Sequence, residues 1–280
     1  MKKWYMIIDV AKCENCNNCF LACKDEHCGN AWPGYSVSQP LHGQRWMNIL
    51  RKERGQYPFV DMAYLPKPCL HCDPAPCMAA VPDGVIYKRG DGIVMIDPVK
   101  AKGRKEIAEA CPYGAIWWNE AQATAQKCTL CAHLLDRGWK KPRCVQACPT
   151  GALAIHHIED SKAGEMIRSR RLEILENKKA PTSAQVLYQN LYRFKRVFIA
   201  GSVAFKRDSV AECVAGTTVV LHKEGEAVDR KTTDAFGDFK FDGLPENSGH
   251  YRIQIRHGDM PAVDLEVALE ASRSLGTIWL

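Results

Sequence analysis

Cys13, Cys16, Cys19 and Cys23 form a CxxCxxCxxxC run, and eight further cysteines fall into three more tracts of related spacing. The second tract is Cys69, Cys72 and Cys77, with Val81 where a fourth cysteine would stand. The third keeps only Cys111, in CPYGAI, and the fourth is Cys128, Cys131, Cys144 and Cys148, closing in CPTGAL. In paired runs of this kind three thiolates hold one iron-sulfur cube and the last reaches to the cube of the other run. Pairing the first tract with the fourth, and the second with the third, uses every cysteine of the four tracts. One cluster takes Cys13, Cys16, Cys19 and Cys148; another takes Cys128, Cys131, Cys144 and Cys23; the third takes Cys69, Cys72, Cys77 and Cys111. A fourth cluster would need Ala101, Arg104, Ile107 and Val81, and none of these is a ligand. Scattered cysteine loss would leave orphans at several centres, whereas this pattern deletes one centre whole. The reading is three 4Fe-4S clusters and one abolished site.

Val81-Pro-Asp-Gly-Val-Ile86 repeats the form of Cys111-Pro-Tyr-Gly-Ala-Ile116 and Cys148-Pro-Thr-Gly-Ala-Leu153, which fixes its register. The Pro stops a helix and the Gly permits the turn into a strand. A tetrahedral zinc site built on two CxxC pairs could account for the last tract alone. It cannot account for four cysteines within the eleven residues of the first. Disulfide frameworks belong to short secreted domains, not to a chain of 280 residues with no secretion signal. Cys28 and Cys213 are left as free thiols. His71, inside Cys69-Leu-His-Cys72, and His133, beside Cys131, are expected to hydrogen-bond near a cluster without ligating it. His156 and His157 are expected on a strand surface, and no Ser-His-Asp set or Gly-rich phosphate loop is present.

The elements that position these tracts show in the patterning. Residues 4 to 10 alternate as a strand leading into the first tract, and Tyr87 to Ile96 reads as a hairpin turning at Gly90-Asp91-Gly92. The insertion between Cys23 and Cys69, with Trp32, Pro33, Pro40 and Trp46, reads as a loop-rich lid that packs aromatics over clusters. Residues 161 to 177 have the apolar spacing of an amphipathic helix, followed by a breaker at Lys178-Lys179-Ala-Pro181 and an extended aromatic stretch over 186 to 194. From Val197 onward the composition changes to seven short alternating stretches, 197–205, 216–222, 227–233, 238–241, 250–255, 262–268 and 275–280. Turns rich in Gly, Asp, Pro and Asn separate them, the pattern of a small antiparallel β-sandwich. The expected fold class is α+β: residues 1–195 as the four-tract iron-sulfur domain, residues 196–280 as a β-sandwich of the carboxypeptidase-regulatory or Cna-B-like kind.

The formal charge of +6 would suit an acidic or nucleic-acid partner. Three oxidised cubes with four thiolates each contribute roughly −2 apiece, so the excess of Lys and Arg reads as their counter-charge and nucleic-acid binding is not expected. The basic run Lys100, Lys102, Arg104 and Lys105 is expected to cover the vacated cluster site or a partner surface. Asp9 interrupts the apolar stretch of MKKWYMIIDV, so no signal peptide is read there, and no window has the ~18 apolar residues of a membrane span. A cytoplasmic chain is expected, though export with a signal-bearing partner would be compatible.

The tract order, the CPYGA and CPTGA endings and the 12-residue gap from Cys131 to Cys144 resemble the iron-sulfur subunits of the dimethyl-sulfoxide-reductase family of molybdenum enzymes. The stretches DVAKCENCNNCF, PGYS, RWMNI, DGIVMIDPVKAKGRKE, QKCTLCAHLLD and NLYRF are similar to the branch acting on polyhydroxylated aromatics of the pyrogallol, phloroglucinol and resorcinol type. The resemblance implies two ferredoxin-like modules over residues 1 to about 195. It also implies a large partner subunit that holds molybdopterin guanine dinucleotide and carries out transhydroxylation or hydroxylation. This chain would be the non-catalytic electron carrier, and the lost centre would be the one farthest from molybdenum. The alternatives are a subunit of another molybdopterin oxidoreductase and an autonomous multi-cluster ferredoxin.

Overall fold

In the computed structural model the described residues are 1–177, 183–207 and 210–280. The breaker expected at Lys178 to Pro181 lies outside them. Two compact units are present: Met1–Leu50 with Tyr64–Leu191, and Arg51–Ala63 with Tyr192–Leu280. Residues 51–63 belong with the second unit, which the sequence did not suggest.

Strand β1 (Lys2–Asp9) runs through the middle of the first unit. It is followed by helix α1 (Asn18–His27) and by the hairpin of β2 (Asn48–Gln56) and β3 (Phe59–Lys67). The small hairpins β4 (Ile86–Lys88) with β5 (Val94–Ile96), and β6 (Trp117–Asn119) with β7 (Thr124–Gln126), come next. Strands β8 (Leu153–Glu159) and β9 (Val186–Gln189) flank β1 in a three-stranded sheet ordered β8-β1-β9. The β8 edge is antiparallel, with Ile8 opposite Leu153, and the β9 edge is parallel, with Met6 opposite Val186. Tyr5 and Ile7 pack on one face against Ala163, Leu172 and Leu187, while Met6 and Ile8 are fully buried. The sheet therefore anchors both chain ends of the cysteine region, since the first tract leaves β1 and the last enters β8.

Two elements differ from expectation. The insertion after Cys23 includes the β2–β3 hairpin as well as a lid. The helix expected over 161–177 covers only Ala163–Ser169, after a 3-10 turn at Asp160–Lys162. Arg171 is left-handed at φ 51°, and Glu173 then bridges Tyr188, so the apolar residues after 170 reach the core from extended chain.

In the second unit, β10 (Val197–Arg207), β11 (Val210–Cys213), β12 (Thr218–Lys223), β13 (Glu226–Thr232), β14 (Asp238–Leu244), β15 (Gly249–Arg256), β16 (Val263–Leu269) and β17 (Arg273–Trp279) form two four-stranded sheets. One has the order β11-β10-β14 with β17 on β10, and the other β13-β12-β15-β16. Alternating side chains fill the space between them: Ile199, Phe239 and Phe241 from the first, Leu221, Ile253 and Ile255 from the second. The seven expected stretches all lie on strands, and β11 is additional. One pairing departs from an all-antiparallel sandwich, because β17 runs parallel to β10.

Candidate iron-sulfur sites

The first tract wraps into a loop because Asn15 and Asn17 take left-handed backbone angles, φ 57° and 61°, a conformation Asn tolerates. His71 in the second tract and Leu130 and Cys131 in the fourth do the same, at φ 48°, 54° and 51°. Such alternation turns successive backbone N–H groups inward and makes a concavity for an anionic group. The donors converge on sulfur. Ala115 N–H donates to Cys111 Sγ and Leu130 N–H to Cys128 Sγ, each at 3.4 Å. Backbone N–H groups also favour the thiolates of Cys13 (from Asn15), Cys19 (from Phe20), Cys23 (from Met47) and Cys131 (from Arg143).

The twelve sulfurs gather in three places. Cys13, Cys16, Cys19 and Cys148 line a cavity with Ile49 and Pro66. Cys69, Cys72, Cys77 and Cys111 line another with Leu70 and Ile116. Cys23 and Cys144 each lie in the field of Cys128 and Cys131. Cys144 also faces Cys19, and Cys128 faces Cys69, so the third set stands between the other two. Burial is the largest influence on these thiols. It pushes Cys19, Cys77 and Cys131 up to about 12 and Cys128 up to about 11. Buried thiols this reluctant to ionise, with N–H donors aimed at their sulfurs, suit a cationic cluster core that takes them as thiolates. The fourteen cysteines are all free of disulfides. Among the described residues no three His, Cys, Asp or Glu side chains converge on a single-ion site.

Positions of the abolished site are filled. Ala101 and Ile107 are fully buried in the core, and Val81 and Arg104 are half-buried. Lys100, Lys102 and Lys105 stand exposed beside them.

The lid does bring aromatics over the fourth tract. Trp32 stacks on His133 at 4.1 Å and Trp46 leans on His27 at 4.7 Å. The Tyr35 hydroxyl donates to Asp136 at 2.7 Å, pinning the lid to the helix end after Cys131. His133 Nε2 lies 2.9 Å from Glu26, and His71 Nδ1 accepts the Val94 N–H at 3.0 Å, which leaves the ring proton on Nε2. Two groups went unnoticed in the sequence. His27 Nε2 lies 4.0 Å from Cys131 Sγ, and burial, reinforced by His133, pulls the ring down to about 3, so it is neutral. Lys127 is 2% exposed, with its ammonium on the carbonyls of Val94 and Cys128. Lys beside Cys gives no sign of burial, because lysine is ordinarily a surface residue.

Residues 60–158 match a family model described as a 4Fe-4S dicluster domain, so this region is an iron-sulfur-binding domain. The chain is 44% identical over its whole length, and over the whole of the relative, to the pyrogallol hydroxytransferase small subunit of Pelobacter acidigallici. It belongs to the iron-sulfur small subunits of the dimethyl-sulfoxide-reductase family of molybdopterin oxidoreductases. More distant relatives are similar over part of the chain. They include a sulfite dehydrogenase subunit of Allochromatium vinosum, 36% identical over 61% of this chain and 76% of that one. A tetrathionate reductase subunit of Salmonella typhimurium is 32% identical over 68% of this chain and 73% of that one. In this family the chain is a non-catalytic electron-transfer subunit, related to the pyrogallol and resorcinol type.

Proposed function

We propose that this chain holds three 4Fe-4S clusters and exchanges single electrons with a large molybdopterin subunit acting on polyhydroxylated aromatics. The proposed ligands are Cys13, Cys16, Cys19 and Cys148; Cys23, Cys128, Cys131 and Cys144; and Cys69, Cys72, Cys77 and Cys111. The observation that supports this most is the gathering of all twelve tract cysteines into three sets of four, with N–H donors on their sulfurs. The full-length likeness to a pyrogallol hydroxytransferase small subunit supports the substrate class.

Bound clusters would supply one-electron chemistry at potentials set by burial, charge and hydrogen bonds to sulfur. The chain's own part is to hold the thiolates and shield them. The tract loops present N–H groups to the sulfurs, Ile49, Pro66, Leu70 and Ile116 supply apolar lining to the two cavities, and Trp32, Tyr35 and Trp46 close the lid side. With the fourth position of the series filled by Ala101 and Ile107, the proposed wire has a closed end. Such a wire stores electrons within the complex during a transhydroxylation that has no net redox change. Assembly of the complex is proposed in the cytoplasm, to be checked by cell fractionation. Among the described residues no helix is long and apolar enough to cross a membrane.

The test is anaerobic co-purification by a tag on this chain. A large partner carrying molybdenum, and turnover of a trihydroxybenzene without any external electron acceptor, are expected. Obligate dependence on an acceptor would replace storage by net hydroxylation, and purification as a soluble, redox-active single chain would overturn the subunit reading.

A further inference from the structure

We propose that Lys127 is a fixed positive charge that makes the Cys69, Cys72, Cys77 and Cys111 centre the one on which an electron entering the chain comes to rest. This rests on the cluster reading given above and adds an order of filling to it.

The Lys127 side chain is buried, and among the described residues its ammonium meets only the carbonyl oxygens of Val94 and Cys128. Among the described residues no carboxylate lies within ion-pair distance of it. A buried cation without an anion is costly, so the arrangement calls for a negative group nearby. The side chain lines the cavity of the Cys69 set, and its charge reaches Cys77 and Cys111 as well as Cys128. Thiolate-ligated cubes on either side are the anion it lacks. Lys88 differs: its ammonium also meets a carbonyl beside this set, that of Cys72 at 2.9 Å, but Asp73 at 3.3 Å compensates it.

The charges at the other two sets have different signs. Glu14 lines the cavity of Cys13, Cys16, Cys19 and Cys148, and Cys16 is exposed there to solvent. At the Cys23 set, Lys24 and Arg143 favour the thiolates while Glu26 opposes them. The protein charge facing the three sets thus runs from acidic, through mixed, to basic. Reduction adds one negative charge to a cluster and makes or breaks no bond. The attraction of a neighbouring ammonium therefore favours the reduced form, and low-dielectric surroundings strengthen the effect. An electron delivered by the molybdenum partner settles beside Lys127, at the end of the series where the fourth centre is missing.

The test is a redox titration of the anaerobically purified complex with dithionite, followed by electron paramagnetic resonance. In the unsubstituted protein the first signal to appear on reduction should be the one altered by Cys111→Ser. Lys127→Gln should lower the potential of that centre by at least a tenfold change in its oxidised-to-reduced ratio, about 59 mV for one electron. Lys127→Arg, which keeps the charge, and Lys88→Gln, which removes a compensated one, should each shift it less than threefold. A Lys127→Gln titration that matches the unsubstituted protein overturns the proposal, as does an equal shift in Lys127→Arg. Should Lys127→Gln lose iron, the filling order decides alone, and a first-reduced centre indifferent to Cys111→Ser overturns it. A complex without cubane signals, or with iron far from about twelve per chain, would instead mean that the underlying cluster reading has failed.

Discussion

Asp61 lies on β3 just after the turn of the β2–β3 hairpin, within the second unit, and its carboxylate takes three cations. Arg54 Nη1 lies at 3.2 Å, Arg193 at 2.9 Å and Lys240 at 2.9 Å. Arg54 is the most demanding of them, with a side chain only 1% exposed and Asp242 as its other partner. Burial raises the Asp61 carboxyl, but the hydrogen bond and charge of Lys240, with Arg193 and Arg54, outweigh it and hold the group below the ordinary value of 3.8. Breaking a buried ion pair by removing one partner costs roughly 3–5 kcal/mol. Asp242 remains on Arg54, and Arg193 and Lys240 can turn to water, so Asp61→Asn should cost about 2 kcal/mol. For a unit of about 100 residues that lowers the unfolding temperature by roughly 8–15 °C. A carboxyl lowered in the fold stabilises it fully above its unfolded value and ceases to do so as pH falls through the folded one. The gap between Asp61→Asn and the unsubstituted chain should therefore be constant from pH 7 to pH 5 and close only below 3.8. Scanning calorimetry of the full chain reads both quantities, with cluster absorbance expected to be unchanged at pH 7. An unaltered transition at pH 7, or a gap that does not narrow at all as pH falls below 3.8, would refute the reasoning.

Three further outcomes follow from the packing. Cys111→Ser should leave the eight sulfurs of the other two sets in place and reduce iron from about twelve to about eight per chain, by metal analysis. Ile107→Ala, at a fully buried position of the abolished site, should destabilise the first unit by about 2–5 kcal/mol in denaturant titration while iron content stays the same. Burial raises the thiols of Cys19, Cys77 and Cys131 from 9.0 to about 12 in the metal-free fold. That contribution is complete below pH 9 and disappears as pH climbs toward 12, so chelated chain should melt at lower temperature at pH 10.5 than at pH 8.

The cysteine tracts were readable because ligand geometry imposes rigid spacing on sequence, and the CPxG endings gave the register that exposed Val81 as a gap. The strands of the second unit showed for the same kind of reason, since Phe239 and Phe241, or Tyr251, Ile253 and Ile255, alternate with polar neighbours. Strand direction leaves no such trace, so the parallel pairing of β17 with β10 was hidden. β11 is exposed at every position and has no alternation to detect. The β2–β3 hairpin was missed because Arg51-Lys52-Glu53-Arg54 reads as solvated surface, whereas Arg54 is interior and neutralised by two aspartates. Around Met166, Ile167, Leu172, Ile174 and Leu175 the apolar spacing of one helix is shared between a short helix and extended chain, and only the left-handed Arg171 separates them. His27 and Lys127 show the limit at the sites themselves, because burial of a polar side chain depends on which distant segments fold over it.

The measurement that bears most directly on the three-cluster account is the iron and acid-labile sulfide content of the anaerobically reconstituted chain. About twelve of each per polypeptide is the predicted result. Sixteen would mean that a fourth centre survives without its cysteines, eight would mean that one of the four-sulfur sets does not ligate, and either would contradict it.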